Sequence, residues 1–101
     1  LIVEDSLHAL ESDDQAVAWF NINGDAELES NEDSLIFRLP DNAGKLYVTG
    51  NQEVVEPVRG QENPLRGWRA KRERTFDPIW NFGFRISASN PVLRTEFKLG
   101  P

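Results

Sequence analysis

The chain has 101 residues, 39% hydrophobic and 28% charged, with a net charge of −6 and no cysteine. These values describe one ordinary globular domain with a single modest core. They exclude disulfides, thiolate metal sites and thiol nucleophiles, and the acidity argues against nucleic acid or an anionic membrane as the main partner.

In chain order the pattern is β throughout. "LIVEDSL" is a short apolar strand with no leading methionine, as expected of a piece cut from a longer protein, and "ESDD" turns it. "AVAWFNI" (16–22) is a continuous apolar run, which predicts a strand buried on both faces. "NGD" (23–25) is a turn, "AELES" a short strand, and "NEDS" a second turn. "SLIFRLP" (34–40) alternates, with Leu35, Phe37 and Leu39 on one face. "DNAG" turns into "KLYVTG", and "QEVVEPV" follows as a strand ending at Pro57.

Residues 59–65 read as a loop by composition. "PIWNFGFRISAS" puts Trp80, Phe82, Phe84 and Ile86 on one face, and "PVLRTEFKL" closes the chain with a further alternating strand. Strands of this length and spacing predict a single all-β domain over 1–101, an antiparallel β-sandwich of about 8–9 strands with little or no helix. Its predicted core is Val17, Trp19, Leu35, Phe37, Leu46, Val48, Trp80, Phe82, Phe84, Val92 and Phe97.

Little in this chain points to catalysis. There is one histidine, His8, beside a polar turn, and one tyrosine, Tyr47, inside a strand. No Ser-His-Asp set or glycine-rich phosphate loop can be assembled. The carboxylates of "ESDD" and "ESNED" fall in turns, where Asp, Asn and Ser bond their own backbone, and their spacing matches no calcium loop. No catalytic residue, metal ligand or cofactor is therefore assigned within this segment.

One stretch stands apart. "RGWRAKRERTFDPIW" (66–80) holds two tryptophans and five of the eleven basic side chains. Residues 1–62 carry fourteen acids against three bases, a balance of −11, whereas residues 63–101 carry three acids against eight bases, a balance of +5. Indole faces stack on the apolar C–H edges of sugar rings, and guanidinium groups grip carboxylates and sulfates through paired hydrogen bonds. Arg66, Trp68, Arg69, Lys71, Arg72 and Arg74 are thus the candidate substrate-binding residues, and weakly bound acidic polysaccharide is the candidate partner. Core or edge packing of Trp68 with a solvated basic face is the competing structural account, and docking on an acidic neighbour is another.

Two segments resemble a known family. "LIVEDSLHALESDDQAVAWFNIN" is similar to a strand, a short acidic turn and an apolar strand in which histidine often occurs. "NPLRGWRAKRERTFDPIWNFGFRISASNPVLRTEFKLG" is similar to a closing pattern with a Gly-Trp pair, a Ser- and Tyr-Gly-containing stretch and a terminal Leu-x-Thr-x-Phe. Together they resemble the C-terminal β-domain of the heparinase II/III-like polysaccharide lyases and their alginate-lyase relatives.

The resemblance implies a parent enzyme that cleaves uronate-containing glycans by β-elimination and binds a divalent metal, in a periplasmic or extracellular location. It implies that the catalytic His and Tyr residues lie upstream, so that this segment is non-catalytic and has the upstream catalytic domain of the same chain as a partner. Asn21 stands near a family histidine, and Thr75 or Phe76 stands near the family tyrosine, so neither side chain's chemistry carries over. Gly67-Trp68 and the run from Pro78 to Leu99 do match. A free-standing carbohydrate-binding or adhesion module is the alternative function, and helical sequence rich in His, Tyr and Asn upstream of Leu1 would decide against it.

Overall fold

Period-2 alternation puts apolar side chains on one face of each strand, and two such faces close on each other without an α-helix among the described residues. A computed structural model of the chain describes residues 1–6, 15–30, 34–62, 64–70, 76–87 and 89–101. The strands are β1 (Ile2–Ser6), β2 (Gln15–Ile22), β3 (Glu27–Ser30), β4 (Leu35–Arg38), β5 (Lys45–Gly50) and β6 (Val54–Arg59). They are followed by β7 (Gln61–Glu62), β8 (Leu65–Arg66), β9 (Trp68–Ala70), β10 (Phe76–Pro78), β11 (Trp80–Ser87) and β12 (Val92–Gly100).

Eight of these strands make an antiparallel β-sandwich. One sheet has the order β1-β12-β5-β4-β3 and the other β2-β11-β6, and every pairing is antiparallel. The four short strands form two small antiparallel pairs, β7–β8 and β9–β10, outside both sheets. Residues 59–65, expected as a loop, therefore carry a two-residue strand and the first residue of its partner.

Phenylalanine fills the space between the sheets. Phe37 of the larger sheet meets Phe82 and Trp80 of the smaller at centroid distances of 5.7 and 5.6 Å, and Phe97 meets Phe20 at 5.3 Å. Leu35, Val48, Phe84, Ile86 and Leu93 complete the buried cluster. Each such side chain taken wholly out of water contributes about 1.5–3 kcal/mol.

Three core assignments, Val17, Trp19 and Val92, fail for the same reason. β2 pairs with β11 so that Phe20 lies opposite Phe82 and Ala18 opposite Phe84. The even-numbered residues therefore turn inward, and Trp19 is left 48% exposed. The run 16–22 is consequently not buried on both faces, and Val17 is only half-buried. In β12 the inward residues are Leu93, Thr95 and Phe97, which puts Val92 outside at 41% exposure. The other predicted core residues are buried or packed against the core.

Strand β6 also runs past its expected end. Asn81 pairs with Val58 and Gly83 with Val55, so Glu56 and Pro57 together face Phe82. This is a bulge on an edge strand, where a residue without an N–H removes no ladder hydrogen bond. The "NGD" turn is closed by Asn23, whose Oδ1 accepts the Asp25 N–H at 2.9 Å. The "DNAG" turn holds Asp41 and Asn42 at φ 59° and 58°, the left-handed region that short polar side chains tolerate. On the outer face of β3–β4–β5, Arg38 bonds Glu27, and Lys45 Nζ meets Glu29 at 2.8 Å. The hydrogen bond it donates to Glu29 holds the Lys45 ammonium above its ordinary pKa of 10.5.

Candidate functional site

The stretch from Arg66 onward folds around a glycine. Gly67 sits at φ +77°, and a Cβ there would come within 2.8 Å of the Ile79 carbonyl oxygen and 2.9 Å of the Gly60 nitrogen. Its own carbonyl accepts two backbone N–H groups, from Gly60 at 3.0 Å and Ile79 at 2.8 Å. One peptide thereby ties the β6–β7, β8–β9 and β10–β11 junctions together, and only a residue without a side chain fits it.

Arg66 is positioned by this junction and is heavily used. Its Nε donates to Asn81 Oδ1 at 2.8 Å, and its Nη2 donates to the Glu56 and Asn81 carbonyl oxygens at 3.1 and 3.2 Å. Its guanidinium carbon lies 4.6 Å from the Trp19 ring centroid, a cation–π contact. Desolvation lowers its pKa below the ordinary arginine range, against the opposing pull of the Glu56 carboxylate. Among the described residues it has no ion pair, and its Nη1 has no hydrogen-bond partner.

Asn81 carries the pattern onward. It is buried at 9% exposure, and its Nδ2 donates to Asn21 Oδ1 at 3.0 Å and, more loosely, to the Phe20 carbonyl at 3.5 Å. A chain of polar contacts thus runs Arg66–Asn81–Asn21 across the outer face of the smaller sheet, ending at the exposed Asn21 amide. Trp19 stands beside it, opposite Gly83. A Cβ on Gly83 would lie 2.9 Å from Cε3 of the Trp19 ring, so the glycine makes room for the indole.

The other wall comes from the small hairpins. Trp68 is half-buried and donates its indole N–H to the Gln61 carbonyl at 2.9 Å, clasping β9 to β7. Leu65 and Phe76 are exposed at 73% and 59%. Between the walls lies an open groove of about 500 Å³ lined by Trp19, Asn21, Arg66, Trp68, Phe76 and Asn81, among others. A smaller apolar recess of about 300 Å³ adjoins it, between Glu62, Leu65, Trp68 and Phe76.

The expected site residues divide. Arg66 and Trp68 line this groove. Arg69 is on the β9–β10 hairpin, paired with Asp77 at 3.3 Å in a largely exposed setting where such a pair is worth about 0–1 kcal/mol. Lys71, Arg72 and Arg74, like His8 and Thr75, lie outside the described residues. Tyr47 is half-buried on the larger sheet, in register with Ile36 and Lys98.

Sequence reasoning missed Trp19, Asn21 and Asn81. Their signal was available as two asparagines set inside otherwise apolar strands, in "WFNI" and "IWNFGF". A polar amide in a buried strand must find partners, and these two find each other. Among the described residues no group of three or more His, Asp or Glu side chains is placed to hold a metal ion. Compared with known proteins, the chain matches no family model, no curated protein and no solved structure.

Proposed function

We propose that this chain is a non-catalytic β-sandwich domain of a heparinase II/III-like polysaccharide lyase, acting in the periplasm or outside the cell. In this reading it braces the catalytic part and touches acidic polysaccharide on the Arg66 side of the smaller sheet. The observation that carries the reading is the groove lined by Arg66, Trp19, Trp68 and Phe76, in which the Arg66 guanidinium lies over the Trp19 ring. Flat apolar surface beside a fixed cation is the chemistry that a uronate residue presents in complement. β-Elimination requires a base, an acid and a charge neutraliser in one site. The one tyrosine lies on the opposite sheet from the groove.

The alternative, a free-standing carbohydrate-binding or adhesion module, draws on the same groove. Calorimetric titration with heparin and alginate oligosaccharides, alongside unsaturated-uronate absorbance, tests the proposal. Weak binding without unsaturated product is expected. Unsaturated product that follows this chain through purification would overturn the non-catalytic reading. Failure of any acidic oligosaccharide to bind at low salt would overturn the saccharide contact.

A further inference from the structure

Arg66 and Arg69, the described bases of the 66–74 stretch, are not equivalent once folded. Arg69 already has a carboxylate partner, Asp77. Arg66 is hydrogen-bonded only to neutral oxygens and has lost part of its water. A partly desolvated cation without an ion pair gains most from an incoming anion, because each exchanged water contact was already forfeited. The contacts that satisfy Arg66 also fix its fork, so little side-chain entropy remains to be lost on binding.

Three donors of the groove remain open. Nη1 of Arg66, Nδ2 of Asn21 and the indole N–H of Trp19 have no partner among the described residues. Trp68, in contrast, has its N–H committed and its ring set against the Gly60 turn. Half of Trp19 faces solvent, next to both free donors. The groove volume of about 500 Å³ falls in the range of ligand sites, which run from about 300 to 1,000 Å³.

Resting on the functional reading above, we propose that this groove is a saccharide subsite. An acidic pyranose would lie against Trp19, with its carboxylate taken by Arg66 and a ring or hydroxyl oxygen by Asn21. Trp19, Asn21 and Arg66 then make the contact, Asn81 positions both polar donors, and Arg69 on the neighbouring hairpin has no part in it. Among the described bases of the stretch only Arg66 is an unpaired cation, so binding through it depends on salt less steeply than it would for a five-residue basic loop.

The test is calorimetric titration of the whole chain with an alginate tetrasaccharide, with cellotetraose as the uncharged probe. Trp19→Ala is expected to weaken alginate tetrasaccharide binding about tenfold and Asn21→Ala about threefold, with Arg69→Ala changing it less than about twofold. Cellotetraose is expected to bind more weakly than the uronate probe. Should Trp19→Ala unfold the sheet, Asn21→Ala and Trp19→Tyr, which keeps a ring over Gly83, report on the same site. An Arg69→Ala loss as large as that of Trp19→Ala or Asn21→Ala would overturn the subsite while leaving saccharide contact intact. Absence of uronate binding to the unaltered chain would instead remove the functional reading beneath it.

Discussion

Thr95 lies at the centre of β12 with no solvent exposure, between Val3 of β1 and Gly50 of β5 in register. Its hydroxyl has no hydrogen-bond partner among the described residues. An unsatisfied buried hydroxyl carries a desolvation penalty of about 1–3 kcal/mol, whereas a methyl of the same shape carries none. Thr95→Val is therefore expected to leave stability unchanged or raise it by about 1 kcal/mol in a urea titration. A loss of more than about 1 kcal/mol would show that the hydroxyl has a partner worth keeping. The same rule, met from the other side, explains Asn81. Its buried amide is satisfied on both ends, by Arg66 and Asn21, and so it can afford its position inside an aromatic strand.

At the scale of the element, β11 organises the smaller sheet. It pairs with β2 on one side and β6 on the other, and its inward row Trp80, Phe82, Phe84 and Ile86 was legible in the sequence as strict alternation. Trp80 crosses to Phe37 edge-on and donates its N–H to the Ala26 carbonyl at 2.8 Å. Trp80→Ala should cost about 3–5 kcal/mol, since the lost ring leaves a cavity and an orphaned carbonyl. A denaturant titration showing less than about 1 kcal/mol would deny Trp80 that role.

Parity was harder to read in β2 and β12. "AVAWFNI" is apolar at nearly every position, so nothing within it says which face is inward, and the pairing with β11 decides. In β12 the sign was present, because Arg94, Glu96 and Lys98 share a face with Val92 and so send Val92 outward. The polar Thr95 on the inner row obscured it. The bulge at Glu56–Pro57 and the short hairpins depend on pairing between distant segments, which local composition does not record.

Over the whole molecule, folding dissolves the charge asymmetry that the sequence displays. The long strands of the basic part, β12 and β11, each lie between two strands of the acidic part, so that Arg94 faces Glu4 in register and Arg85 lies 3.8 Å from Glu53. The described bases of the 66–74 stretch are partly consumed as well, Arg69 by Asp77 and Arg66 by Asn81, Trp19 and the Glu56 carbonyl. Within a motif that reads as a basic–aromatic surface, Arg66 is held on a tryptophan from another strand, and that partnership could not be seen along the chain. The three tryptophans report on it separately: Trp19 is open to the groove, Trp68 clasps the hairpin and Trp80 is tied to Ala26. Nitrogen-15 spectra of the indole N–H signals during titration with an alginate tetrasaccharide are the most direct measurement. The Trp19 signal should move with saturation while that of Trp80 stays fixed. A stationary Trp19 signal under conditions where backbone amides elsewhere shift would contradict the groove as the saccharide contact.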